Sequence, residues 1–100
     1  MGTARTVRAG VIGTGALGAH HARVYSSLDS VGSLALYDRD ASRSEAVARE
    51  RGGSVCRTIE ELLEVSDVVS VCTPATHHYE AVRAALERGA HVLVEKPIAS

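Results

Sequence analysis

The stretch Gly13-Thr14-Gly15-Ala16-Leu17-Gly18 decides how this chain folds. It follows an apolar run at residues 7–12 that is typical of a buried β-strand, and it opens a segment with helical spacing of apolar residues. The first glycine permits a tight strand-to-helix turn, the second lets the backbone approach a ligand, and the third lets the helix pack closely. Unpaired N–H groups and the helix dipole favour a negative group at such a turn. The pattern therefore predicts a site for the pyrophosphate of a dinucleotide.

The rest of the chain alternates between short apolar runs and helical spacing, which is the pattern of β-α-β units around a parallel sheet. Strands are predicted at residues 7–12, 33–37, 54–56, 67–72 and 91–94. Helices are predicted over the apolar stripe Leu17, His21, Val24 and Leu28, over residues 41–51, over a short segment carrying Ile59, Leu62 and Leu63, and over residues 77–88. We expect an α/β fold of the Rossmann type: a doubly wound parallel sheet of five strands in the order 3-2-1-4-5, with flanking helices.

Local signals define several helix ends. Asp40 is a good N-cap for the second helix, and Gly52-Gly53 ends it. Thr58 and Glu61 have the spacing of a capping box, which predicts the start of the third helix. Gly89 closes the fourth helix.

Composition narrows the function classes. The 100 residues carry a net charge of -1 with both signs interspersed, so neither a nucleic-acid partner nor a membrane surface is expected. The apolar runs are strand-sized, and the N-terminus has no apolar run that resembles a secretory signal, so we expect a cytoplasmic protein. Cys56 and Cys72 fall in different predicted strands and show no metal-binding spacing. They are expected to be buried, reduced thiols, and no metal site is expected.

An acidic residue at the end of the second strand points to the cofactor. Asp38 lies 20 residues after Gly18, where a carboxylate accepts hydrogen bonds from ribose hydroxyls and repels a 2′-phosphate. This favours NAD over NADP. Two alternatives stay open: Asp38 merely caps a turn in Asp38-Arg39-Asp40, or Arg39 stacks on adenine or meets a 2′-phosphate, which would allow NADP.

Two further segments lie where the fold places ligands, just after strands four and five. They are Cys72-Thr73-Pro74-Ala75-Thr76-His77-His78 and Glu95-Lys96-Pro97. Together with the glycine turn and Tyr37-Asp38-Arg39, they resemble the glucose–fructose oxidoreductase, inositol dehydrogenase and rhizopine-catabolism family, written Gfo/Idh/MocA. The resemblance covers essentially the whole chain.

The resemblance implies oxidation of a secondary alcohol on a sugar, an inositol or a nucleotide-linked sugar, or reduction of the corresponding ketone. It implies that Lys96 is the catalytic acid or base, and that Glu95 places the nicotinamide ribose and tunes Lys96. Thr73 and Pro74 would form a shelf under the nicotinamide, and His77 has either a cofactor-side role or a solvated capping role. The residues expected to contact the cofactor are Gly13, Thr14, Gly15, Ala16, Leu17, Gly18, Asp38, Arg39, Thr73, Pro74, His77, Glu95 and Lys96.

The resemblance has limits. Ala75 stands where the family often has Asn, which puts one polar contact to the cofactor in doubt, and His21 fits the family pattern but is interpreted as structural. The resemblance also suggests a cis peptide before Pro97. Only three residues follow Pro97, so residues 1–100 are interpreted as a truncated NAD(P)-binding Rossmann domain that lacks a C-terminal substrate domain and is inactive alone.

Two expectations concern partners and function class. The fifth strand should be under-covered on one face, so the chain is expected to associate with itself there, and the full-length enzyme is expected to be a homo-oligomer acting on a small polyol or sugar. The alternative from another class is a non-catalytic NAD(P)-sensing or regulatory protein of the same fold. Lys96 favours the enzyme, since a sensor has no use for an acid or base beside the nicotinamide.

Overall fold

The computed structural model describes residues 6–73 and 75–94, and the side chains of this part other than those of 75–79 and 93–94. Helices and strands alternate along it. In chain order they are β1 Val7–Ile12, α1 Ala16–Ser27, β2 Val31–Tyr37, α2 Ala41–Arg51, β3 Ser54–Val55, α3 Ile59–Glu64, β4 Val68–Val71, α4 Ala75–Glu87 and β5 His91–Val94.

The five strands form one sheet in the order β3-β2-β1-β4-β5, and every pairing is parallel. The predicted fold class and strand order are therefore confirmed. β1 is the central strand, and its last residue, Ile12, is in register with Tyr37 of β2 and with Val71 of β4. Val71 is in turn in register with Val94, the last residue of β5. Four strands thus end at one edge, which is called the carboxyl edge below.

Apolar side chains fill both faces of the sheet. Along β1, Val11 and Ile12 are both fully buried but belong to different clusters, since successive side chains on a strand point to opposite faces. One cluster consists of Ile12, Ala35, Cys56, Leu62, Leu63, Val69, Val71, Ala81 and Ala85. The other consists of Ala9, Val11, Ala22, Leu34, Leu36 and Val47. Burial on both faces explains why the strands read as apolar runs instead of alternating.

The predicted buried face of α1 is wrong in part. Val24 and Leu28 are 41% and 45% exposed, and Leu28 lies just beyond the helix as its C-cap. The buried residues are Gly18, His21 and Ala22. A Cβ on Gly18 would lie 3.3 Å from Cγ1 of Val11 in β1, so Gly18 packs against this strand. The residues three and four positions later, His21 and Ala22, are on the same face of the helix and are buried with it.

Several element boundaries differ from prediction by one or two residues. β2 begins at Val31, β4 is shorter at Val68–Val71, and α4 runs over Ala75–Glu87. β3 ends at Val55, so Cys56 lies outside it, although the Cys56 amide still donates to the carbonyl of Leu36 at 2.8 Å.

The predicted helix caps are present. The Asp40 side chain accepts a hydrogen bond from the Ser42 amide at 3.1 Å, and the Thr58 hydroxyl accepts one from the Glu61 amide at 3.0 Å. Helix α2 ends at Arg51 with Gly52 as its C-cap, as predicted. Local capping chemistry therefore determines where these helices begin and end.

The two cysteines differ in burial. Both are free thiols, but Cys56 is buried whereas Cys72 is only half-buried, so the expectation of two buried thiols is wrong for Cys72. Burial raises the pKa of the Cys56 thiol, and the nearby charge of Glu61 raises it further. The Cys56 thiol is therefore a core side chain, not a reactive nucleophile.

Candidate dinucleotide site

The glycine turn lies at the carboxyl edge, between the ends of β2 and β4. The Gly13 amide donates to the Tyr37 carbonyl at 2.7 Å, and the Cys72 amide donates to the Ile12 carbonyl at 2.8 Å. These two bonds extend the sheet pairing by one residue on each side of β1. The turn is therefore held on both sides before α1 begins.

The three glycines of the turn differ in their surroundings. Gly13 has φ +93°, and a Cβ there would lie 2.9 Å from the backbone of Cys72, so both backbone conformation and space require glycine. A Cβ on Gly18 would overlap the carbonyl oxygen of Gly13. Gly15 differs from both, because a Cβ there would meet nothing within 4 Å. Gly13 and Gly18 thus serve packing, and Gly15 keeps an open space beside the turn clear.

The N-terminus of α1 faces that open space with its backbone donors uncapped. Gly15 is the N-cap residue and supplies no side-chain acceptor, and the first turn contains no acidic residue. The first intrahelical bond is donated by the Ala19 amide to the Gly15 carbonyl at 2.8 Å, so the amides of Ala16, Leu17 and Gly18 precede the helical ladder. Uncapped amides, a helix dipole and no Cβ in the way fit a pyrophosphate group.

Asp38 lies directly after β2, half-buried beside the turn. Its Oδ2 accepts from the Thr14 amide at 2.7 Å and from the Thr14 hydroxyl at 3.0 Å, and its Oδ1 accepts from the Asp40 amide at 2.8 Å. The capping alternative considered above is therefore present in the structure, through the Asp40 amide. It does not use up the carboxylate, which has about four lone-pair positions in all. Arg39 follows with its side chain exposed.

The structure describes only part of the predicted site. Gly13 to Gly18, Asp38, Arg39 and Thr73 lie at the carboxyl edge, with Thr73 half-buried two residues after β4. Pro74, Glu95, Lys96 and Pro97, with the peptide before Pro97, lie outside the described residues. His77 lies in the first turn of α4, and its side chain is outside the described part.

A buried polar network lies behind the turn, and the sequence did not predict it. Ser70 of β4 is fully buried; its Oγ lies 3.0 Å from Nδ1 of His21 and 2.6 Å from the hydroxyl of Tyr25. These bonds join α1 to β4 and agree with the structural interpretation of His21. The available signal was Ser70 itself, because a serine within an otherwise apolar buried strand requires hydrogen-bond partners.

An ion pair joins β1 and β4 at their amino ends, opposite the carboxyl edge. Arg8 is the second residue of β1 and Asp67 directly precedes β4, and the guanidinium Nη2 of Arg8 lies 2.9 Å from Oδ1 of Asp67. The Asp67 carboxylate also accepts from the Arg8 amide at 3.0 Å. Hydrogen bonds from Arg8 hold the pKa of the Asp67 carboxyl below its ordinary value. The charges of this pair lie far from the glycine turn, since they mark the amino ends of the same strands.

The described part of the chain was also compared with what a metal site and a membrane-spanning helix require. Among the described side chains, which are those of residues 6–73 and 80–92, no three of His, Cys, Asp or Glu gather as metal ligands would. In that same part, no helix is both long enough and apolar enough to cross a membrane.

Known proteins are similar to this chain in sequence and in architecture. Residues 7–100 match the model of the Gfo/Idh/MocA family, described as an oxidoreductase family with an NAD-binding Rossmann fold. The UDP-N-acetylglucosamine 3-dehydrogenase of Acidithiobacillus ferrooxidans is 35% identical over 91 residues, which are 91% of this chain and 28% of that enzyme. The chain thus spans less than a third of the length of that relative.

Two solved structures with bound cofactor are also similar. GenD2 from gentamicin A biosynthesis, in complex with NAD, has a TM-score of 0.87 at 30% identity over 99% of this chain and 29% of that protein. The myo-inositol dehydrogenase of Lactobacillus casei, in complex with NAD(H) and myo-inositol, has a TM-score of 0.83 at 31% identity over 94% of this chain and 29% of that protein. Sequence and fold thus agree, and the chain belongs to the Gfo/Idh/MocA oxidoreductase family, as an NAD-binding domain of the Rossmann type.

Proposed function

We propose that the full-length gene product is an NAD-dependent dehydrogenase that oxidises a secondary alcohol of a sugar, an inositol or a nucleotide-linked sugar, or reduces the corresponding ketone. The observation that carries this proposal is the shared carboxyl edge, where the glycine turn, Asp38 and the ends of β4 and β5 meet. Two of the relatives named above support the substrate class, since one is named as a dehydrogenase of a nucleotide sugar and the other is in complex with myo-inositol.

The adenosine end of the cofactor is assigned to the described residues. The uncapped amides of Ala16 and Leu17 would hold the pyrophosphate, with Gly15 leaving room for it. Asp38 would accept a hydrogen bond from the adenosine ribose, and its negative charge would repel a 2′-phosphate. NAD is therefore favoured over NADP. Arg39, exposed beside Asp38, is the residue that would favour NADP if the carboxylate turned away.

For the nicotinamide end, the proposal follows the resemblance to the family. Thr73 and Pro74 follow β4 and would line the nicotinamide, and His77 would lie on the cofactor side at the start of α4. Glu95 and Lys96 follow β5. When bound, the cofactor supplies the hydride acceptor or donor. Lys96 would take the proton from the substrate hydroxyl during oxidation and return it to the carbonyl oxygen during reduction.

The remaining parts of the proposal concern the whole protein. Residues 1–100 would form the cofactor-binding part, and a second domain would supply the substrate pocket, which is consistent with relatives more than three times as long as the matched segment. The 100 residues alone would be inactive, because hydride transfer requires a closed site with a positioned substrate. We place the enzyme in the cytoplasm as a homo-oligomer, and we expect association of the isolated chain at β5.

The test uses the full-length gene product and Lys96, the single lysine among the 100 residues. Wild-type protein is assayed with NAD and a panel of inositols, sugars and nucleotide sugars, and NADH binding is measured separately by fluorescence. We expect turnover of at least one substrate. Lys96→Met should lower kcat by about 10²-fold or more and raise the Kd for NADH by a much smaller factor.

A matched control and a contrary outcome complete the test. Arg88→Met removes an exposed cation at the C-terminal end of α4 and should change neither quantity. Tight NADH binding without turnover of any member of the panel would favour a cofactor sensor. Absence of NADH binding would overturn the proposal altogether.

A further inference from the structure

Thr14 is the residue between the first two glycines of the turn. Thr14 is 4% exposed although it adjoins the open space beside Gly15. Its hydroxyl donates to Oδ2 of Asp38 at 3.0 Å, and its amide donates to the same oxygen at 2.7 Å. A hydroxyl has one proton to donate. Thr14 therefore directs its side-chain donor at Asp38 and not toward the space where a phosphate would lie.

The bonds from Thr14 leave the two oxygens of Asp38 unequal. Oδ2 accepts two hydrogen bonds, both from Thr14, whereas Oδ1 accepts one, from the Asp40 amide. With about two lone-pair positions on each oxygen, Oδ2 is filled and Oδ1 keeps one position free. Hydrogen bonds to a carboxylate are among the stronger ones in proteins, so two on one oxygen define the orientation of the group.

We infer that Thr14 is a positioning residue for cofactor selectivity: it holds Asp38 so that Oδ1 accepts from the adenosine ribose of NAD and its charge excludes a 2′-phosphate. The inference rests on the proposed function, because it assumes that Asp38 meets the ribose. If the hydroxyl is removed, Oδ2 keeps only the amide bond. The carboxylate can then turn away from the ribose, which leaves Arg39 beside the position of a 2′-phosphate.

The test compares the full-length protein with Thr14→Val and Thr14→Ser, measuring Kd for NADH and for NADPH by fluorescence titration. Valine keeps the shape and the backbone amide and removes only the hydroxyl, whereas serine restores the hydroxyl. We expect Thr14→Val to lower the ratio of the NADPH Kd to the NADH Kd by about tenfold. For Thr14→Ser, the same ratio should stay within about twofold of the wild-type ratio, which is a much smaller change than the one expected for valine.

A merely structural role gives a different result. If Thr14 only connected the turn to the end of β2, Thr14→Val would weaken the binding of NADH and NADPH equally and would lower the melting temperature. The ratio of the two Kd values would then not change. An unchanged ratio therefore overturns the inference. Thr14→Ala serves as a second variant if valine prevents folding, because it adds no atoms to a buried position.

A double-mutant cycle separates this inference from the proposed function. In an Asp38→Ala background, adding Thr14→Val should leave the Kd ratio unchanged, since Thr14 acts through the carboxylate. A wild-type protein that binds no NADH, or that prefers NADPH, refutes the proposed function and this inference together. A wild type that prefers NADH, with a ratio insensitive to Thr14→Val, refutes the inference alone.

Discussion

Gly15 and Gly18 belong to one motif, yet alanine should harm the protein differently at each. At Gly18 the new Cβ would overlap the carbonyl oxygen of Gly13 and lie 3.3 Å from Cγ1 of Val11. Overpacking costs about 1–3 kcal/mol, and a fixed backbone oxygen places this case at the upper end. Alanine regains about 1 kcal/mol over glycine within a helix. The net loss is about 2 kcal/mol, or about 8–16 °C in melting temperature for a domain of this size.

Gly15→Ala should leave the free protein almost unchanged. The new Cβ meets nothing within 4 Å, and φ of −70° suits alanine. Alanine is a poorer N-cap than glycine, but it stiffens the unfolded chain by about 0.4–1 kcal/mol, so the two effects nearly cancel. The Cβ would instead enter the space assigned to the pyrophosphate. We expect the Kd for NADH to rise by at least about tenfold, which is 1.4 kcal/mol.

Thermal unfolding followed by circular dichroism and NADH titration followed by fluorescence measure the two effects separately. The expected pattern is a lower melting temperature for Gly18→Ala and a weaker NADH affinity at a nearly unchanged melting temperature for Gly15→Ala. Equal losses of stability in the two variants would refute the division of tasks between the glycines. Wild-type NADH affinity in Gly15→Ala would refute the placement of the pyrophosphate.

Three further predictions concern stability. Ser70→Ala leaves the buried His21 without the hydroxyl at its Nδ1 and should cost about 1–3 kcal/mol in chemical denaturation. Thr58→Ala removes the N-cap of α3 and should cost about 1 kcal/mol in the same assay. Because hydrogen bonds from Arg8 lower the pKa of Asp67, the stability from this pair is present above the unfolded carboxyl pKa of about 3.9 and is lost as pH falls through the lower folded value. Asp67→Asn should therefore flatten the acid limb of the stability profile, and an unchanged limb would contradict this assignment.

Most element positions could be predicted because they depend on local signals, and the strand order followed from the Rossmann-type fold class that these elements indicate. The glycine spacing, the caps at Asp40 and Thr58 and the two-sided apolar strands each act over a few residues. The buried face of α1 could not be predicted in the same way. The positions of apolar residues alone predict that Val24 and Leu28 are buried, but both are exposed. The buried face is instead the one that contains Gly18, which packs against β1, and this contact exists only in the tertiary structure.

The candidate site likewise contains features that the sequence could predict and features that it could not. The glycine turn and Asp38 have sequence signatures because the chemistry proposed for them depends on residue type and spacing. The bonds between Thr14 and Asp38 depend on where β2 ends relative to the turn, which is set by the bond from the Gly13 amide to the Tyr37 carbonyl. Sequence spacing does not show that register. The sequence therefore predicted that Thr14 contacts the cofactor, but it did not predict the bonds from Thr14 to Asp38.

β1 explains why so small a part of the chain can hold a binding site in place. It pairs with β2 on one side and β4 on the other; Arg8 and Asp67 connect its amino end to β4, and the Gly13 and Cys72 amides extend the pairing at its carboxyl end. The proposed acceptor of the ribose, Asp38, thus lies directly after β2, and the proposed donors for the pyrophosphate lie at the start of α1, so sheet register sets their relative position. A site ordered before its ligand arrives loses less conformational entropy on binding. The conformational freedom that remains is in the side chain of Asp38, and the two bonds from Thr14 restrict it.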